Sequence, residues 1–130
     1  MVFVFLTVGG VYQDRNMRSR VSYALAQTGD LKQQVAAFHA REQRWPRAAD
    51  LGVAEWVPYA EGGGYRLQAE GTIRISFTVL RGLKGFGITL RFMPADDGKS
   101  GKWRCEPDAG LRPHLLPGEC RDWVQERVPR

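Results

Sequence analysis

Between Tyr12 and about Arg44, apolar residues return every three or four positions. Val21, Ala24, Leu25, Thr28, Leu31, Val35 and Phe38 form one stripe, and Arg15, Gln33, Arg41 and Arg44 fall on the opposite side. That period predicts an amphipathic helix, stopped at Trp45-Pro46 because proline cannot continue it. Gly29 marks a weak point within it, where Asp30 and Gln33 offer a second start in capping-box fashion. The preferred reading is one helix. At 1.5 Å per residue it spans roughly 50 Å, more than the width of so small a domain, so its N-terminal part is expected to project.

A second period begins at Thr72. Ile73, Ile75, Phe77 and Val79 alternate with polar residues, as do Ile88, Leu90 and Phe92; Lys102-Trp103-Arg104-Cys105 is a third extended stretch. The polar turns Arg81–Gly85 and Ala95–Gly101 separate these runs and predict a three-stranded antiparallel meander with one apolar face. The stripe on the helix is the surface available to cover it. The predicted fold is therefore α+β, one long N-terminal helix lying on one small antiparallel sheet. Pro46 to Gly64 reads as a loop. Its Gly62-Gly63-Gly64 run lacks the following Gly-Lys-Ser/Thr and the preceding buried strand of a phosphate loop, so it reads as a flexible turn.

The first eleven residues, Met1 to Val11, carry no charge. They are compatible with a membrane but too short to cross one, since a spanning helix needs about 20 apolar residues. The run resembles the second half of a membrane helix, and the chain is expected to be a fragment of a longer product or to have its start assigned late. This divides the chain into an apolar remnant, residues 1–11, and a single globular domain, residues 12–130.

Charge sharpens one point. The chain has 130 residues and a net charge of +5. Residues 1–47 hold seven basic side chains against three acidic ones, while the remainder is nearly balanced. The excess thus belongs to the helix, where a solvated face or an anionic partner would account for it. Candidate cations for DNA or another anion are Arg15, Arg18, Arg20, Arg41 and Arg44 on the helix, with Lys99, Lys102, Arg104 and Arg112 in the later loops.

Cys105 and Cys120 bracket a segment with three prolines, two glycines and no hydrophobic period. Such a segment builds no core of its own, and a disulfide is the natural way to fix it. That reading places the protein in an oxidising compartment. Two unpaired buried thiols, or a zinc site with His39 and His114, are the alternatives. Zinc is disfavoured by the lack of Cys-x-x-Cys or His-x-x-x-His spacing. Asp96-Asp97 lacks the alternating oxygen ligands and distal glutamate of a calcium loop and reads as a turn. His39 has Glu42 nearby but no nucleophile in a recognisable motif, so no enzyme activity, metal or cofactor is assigned.

Several pieces, taken in order, resemble the type IV pilin family. Tyr12-Gln13-Asp14 with Arg18-Ser19-Arg20-Val21 is similar to the segment following the membrane helix of those proteins. Leu31-Lys32 with Val35 and Trp45-Pro46 is similar to the continuation and exit of their spine helix. Gly71-Thr72-Ile73, Trp103-x-Cys105 and Leu116-Pro117-x-x-Cys120-Arg121 are similar to their sheet and C-terminal disulfide loop. The resemblance covers roughly residues 11–121. It implies a filament subunit, major or minor, that partners other pilin subunits and the pilus assembly machinery. It also implies an inner-membrane anchor through the N-terminal helix and a periplasmic or cell-surface location, with roles in adhesion, twitching motility or DNA uptake. The basic leader and early glutamate of the family are not among the residues present, and the tail Asp122–Arg130 extends past the usual stop. A DNA-binding competence pilin and a non-polymerising pilin-like periplasmic domain of a membrane protein are the alternatives.

Overall fold

A computed structural model describes residues 2–59, 62–78, 83–118 and 120–121, with side chains from residue 15 onward. Helix α1 runs Val2–Gln27 and helix α2 Gly29–Glu42. The expected single helix is thus bent, and the bend falls on Thr28 rather than on Gly29. The Thr28 hydroxyl donates to the Leu25 carbonyl at 2.7 Å, and its own N–H reaches the same oxygen at 3.2 Å. A buried threonine bonding back onto the preceding turn competes with the regular ladder and bends the helix. The backbone stays in the right-handed region at Thr28, and no side chain caps α2, so the Asp30/Gln33 restart does not form. Gln43 ends α2 in the left-handed conformation, φ 56°, with its N–H on the His39 carbonyl. Its side-chain amide donates to the Gly98 carbonyl at 3.1 Å, tying the helix end to a turn of the sheet.

The sheet has five strands, not three. They are β1 Val57–Tyr59, β2 Gly63–Leu67, β3 Thr72–Phe77, β4 Gly87–Pro94 and β5 Gly101–Pro107, antiparallel in sequence order. The segment read as loop from Pro46 to Gly64 supplies a short helix α3, Ala48–Leu51, then β1 and the start of β2. Aromatic rings replace the missing glycine side chains. A Cβ on Gly64 would meet the Trp56 indole, with Cε2 at 2.6 Å, and one on Gly63 would meet the Tyr59 ring. Gly63 and Gly64 are therefore strand residues over which rings lie, rather than a flexible turn. Val79 and the Arg81-Gly82 part of the first expected turn lie outside the described residues.

The core lies between helices and sheet. Val21, Ala24, Leu31 and Val35 are buried against Ile73, Ile75, Ile88 and Leu90, as the two periods predicted. Phe77 and Phe92 complete the sheet side. The C-terminal segment joins the same core through Leu111, Leu115, Leu116 and Cys120, with Pro113–Leu115 forming one turn of 3-10 helix.

Candidate assembly surface

Among the residues whose side chains are described, helix α1 meets the rest of the protein through its C-terminal half. Met17, Val21 and Ala24 are buried, and the C-terminal turn Pro113–Leu115 packs beneath them. A guanidinium nitrogen of Arg112 lies 3.9 Å from the Met17 sulfur. Cys105 in β5 and Cys120 are joined by a disulfide with 4.9 Å between their Cα atoms. The bond closes the segment that carries Leu111, Leu115 and Leu116, so the sheet edge holds this brace against α1 from below. The zinc alternative fails because the sulfurs bond each other, and no metal-ligand cluster occurs among the described residues. N-terminal of Met17, α1 continues to Val2, about 22 Å at 1.5 Å per residue. No helix among the described residues is long and apolar enough to cross a membrane.

The sequence-predicted cations do not gather at one place. Arg15 and Arg18 are exposed on α1 and Arg20 is half-buried. Arg41 and Arg44 lie at the far end of α2, about 40 Å along the helical path from Arg15. Arg41 pairs with Glu42 at 3.1 Å and Arg44 with Asp50 at 3.2 Å, and both guanidiniums lie over the Phe38 ring. Lys99 sits in the β4–β5 turn. There the Asp97 carboxylate accepts from the Lys99 and Ser100 N–H groups, each at 2.9 Å, and from the Ser100 hydroxyl. These bonds hold its pKa low, and Asp96-Asp97 is a turn as expected. Lys102 is exposed and Arg104 half-exposed, both on the outer side of β5.

That outer side carries a row of cations that charge counting along the chain misses. In each strand from β2 to β5 an arginine stands between two residues of the core face: Arg66 in β2, Arg74 in β3, Arg91 in β4 and Arg104 in β5. Alternation turns all four away from the helices. The register sets Arg66 opposite Arg74 and Arg91 opposite Arg104. Facing like charges destabilise a sheet, and two carboxylates offset part of the repulsion. Asp108 accepts two bonds of 2.7 Å from Arg74 and a third from the Gly87 N–H at 2.9 Å. Its carboxyl is held below the usual range by the Arg74 hydrogen bonds, against the opposing effect of burial. Glu106 accepts from Arg104 at 2.7 Å and from Arg91 at 3.2 Å. Burial raises its pKa, and those two hydrogen bonds more than offset the rise.

The signal was readable in the sequence. A charged residue at each out-of-phase position of a strand declares the solvent face, and Arg74, Arg91 and Arg104 fall at such positions. On the inner face the aromatics pack among themselves. His39 lies 4.3 Å from Trp45 between ring centroids, Trp45 faces Phe92, and Phe92 faces Trp103 at 5.2 Å. His39 is thus a helix residue stacked in an aromatic tier. His114 is exposed in the C-terminal turn.

A bent N-terminal helix on an antiparallel meander, with a disulfide closing the C-terminal segment beneath that helix, defines a pilin-like α+β protein. The model of the pilin family, subunits of bacterial filaments, matches residues 17–121. The chain belongs to that family, as its resemblance to type IV pilins implied. No curated protein matches the sequence. Membership makes the protein a filament subunit that assembles with other pilin subunits into a surface filament, in a family that is structural rather than enzymatic.

Proposed function

We propose that the protein is a structural subunit or minor pilin of a type IV pilus or a related filament. Residues 1–11 serve as the part of its helix held first by the inner membrane and then by the filament core. Residues 12–130 are the domain displayed outside it. The observation that carries this reading is the uncharged run Val2–Val11 forming the start of α1, a helix that the disulfide-closed segment braces further along, where it meets the domain. Ten uncharged, mostly apolar residues bury little alone, but neighbouring copies of the same run bury one another at about 25 cal/mol per Å² of apolar surface. Adhesion, twitching motility and DNA uptake are the roles such a filament serves, with the assembly machinery as partner.

The test is fractionation of cells that express the chain together with pilus machinery. The protein should appear in the filaments sheared from the surface, and Leu6→Asp should remove it from that fraction while leaving the thermal melt of the domain unchanged. Wild-type protein found only in the membrane and periplasmic fractions would argue for the non-polymerising domain instead.

A further inference from the structure

The outward face of the sheet holds Arg66, Arg74, Arg91, Lys102 and Arg104 against two carboxylates, Glu106 and Asp108, among the described residues. The face therefore keeps a positive excess after its internal pairing. The cations step diagonally from β2 to β5, so the row is continuous across four strands. At its β2 end lies a cavity of about 400 Å³, within the range of small-ligand sites. Arg47, Glu55, Arg66 and Gln68 supply the polar lining, and Pro46 and Leu67 part of the apolar lining. Arg66 belongs to both row and cavity, with its guanidinium over the Trp56 ring at 5.2 Å. Arg47 and Arg66 are exposed.

We propose that this face and its cavity bind an acidic polysaccharide that carries uronate carboxylates. Three features of the surface select that chemistry. Arginine presents a planar fork that matches a carboxylate in two-point fashion. The row is also interrupted by acceptors, the carboxylates of Glu106 and Asp108, both partly buried, beside the Thr89 hydroxyl. A duplex offers only acceptors along its phosphates and is repelled by such carboxylates, whereas a sugar acid brings hydroxyl donors to them together with its own anion. The cavity, finally, combines two cations, a carboxylate and an amide with apolar patches, which suits the mixed polar and C–H faces of a sugar ring. Among the described residues, Trp56 is the aromatic of this face, and Arg66 lies over its ring, where a stacking base would have to sit. The inference goes beyond filament membership and does not depend on it.

The experiment uses the full chain in non-ionic detergent and measures binding to immobilised polygalacturonate by biolayer interferometry. Neutral dextran and duplex DNA are the comparison polymers. Polygalacturonate should bind in a salt-sensitive way, dextran should not, and DNA should bind at least about tenfold more weakly. Arg66→Ala and Arg47→Ala should each weaken polygalacturonate binding about tenfold, the scale of one charged hydrogen bond. Arg66→Lys should restore only part of the loss, and Arg18→Ala on α1 should change nothing. Thermal melts of the exposed-site variants verify that they fold. DNA binding as tight as polygalacturonate binding would overturn the proposal. So would equal losses in Arg18→Ala and Arg66→Ala, an unchanged affinity in Arg66→Ala, or no binding at low salt.

Discussion

Removing the Cys105–Cys120 bond should cost the domain about 3 kcal/mol. The cysteines are 15 residues apart, and closing a loop of that size restricts the unfolded chain by about that amount at 25 °C. The folded state has little with which to compensate. The closed segment has no long element, and beyond β5 it is held by isolated turn bonds, from the Leu111 N–H to Asp108, the Leu115 N–H to Arg112, the Leu116 N–H to Pro113 and the Cys120 N–H to Pro117. It stays in place because Leu111, Leu115 and Leu116 are buried, and their burial depends on the position of the tie. An unfolding entropy of about 2.1 cal/mol/K per residue turns 3 kcal/mol into a fall of roughly 10 °C in Tm. Circular dichroism melts of the oxidised protein, the same protein under a phosphine reductant, and Cys105→Ala/Cys120→Ala should all report it. Hydrogen exchange should speed first at the Leu115 and Leu116 amides. A shift below about 2 °C with those amides still protected would refute the reasoning, since the segment would then be ordered by its packing alone.

Three further outcomes follow from single contacts. Gly71 has φ +68°, and a Cβ there would meet the Trp45 ring, with Cε3 at 2.6 Å; Gly71→Ala should cost about 1–3 kcal/mol in urea unfolding, and a change under half of that would contradict the account of this turn. Asp108→Asn leaves the half-buried Arg74 without its two-point partner and should cost about 1–3 kcal/mol at pH 7. The Asp108 carboxyl is depressed in the folded state, chiefly by Arg74, so its contribution is present above the ordinary aspartate pKa of about 4 and is lost as pH falls through the folded value. Acid titration of stability below about pH 4 should therefore be shallower in Asp108→Asn than in wild type, and parallel curves would count against the pair. Thr28→Val keeps shape and burial but deletes the hydroxyl bond to Leu25; a loss of about 1 kcal/mol is expected, and a stabilised variant would mean that the bend is set elsewhere.

Much of this fold was legible because its periods are strong. The stripe from Val21 to Phe38 and the alternations around Ile73, Ile75, Ile88 and Leu90 each mark a buried face, and burial of one face is what fixes register and orientation. The disulfide was legible from the poverty of its loop. β1 and the start of β2 were not, because Gly63 and Gly64 supply no side chain to show a period. Their strand character comes from Trp56 and Tyr59 folding over them, a contact that no linear pattern displays. The bend at Thr28 was misplaced to Gly29 for a similar reason. Glycine has a known local cost, whereas the threonine hydroxyl acts only once the helix buries it. The outer arginine row was missed by summing charge along the chain when charge had to be read by strand phase.

The claim at the centre of the account is that identical N-terminal helices lie side by side in a filament. A single cysteine introduced at Leu6, with the native disulfide intact, tests it in sheared material under mild oxidation. Neighbouring copies should give a ladder of cross-linked multimers on a non-reducing gel that collapses to monomer on reduction. A monomer band alone, from filaments that contain the variant, would contradict it.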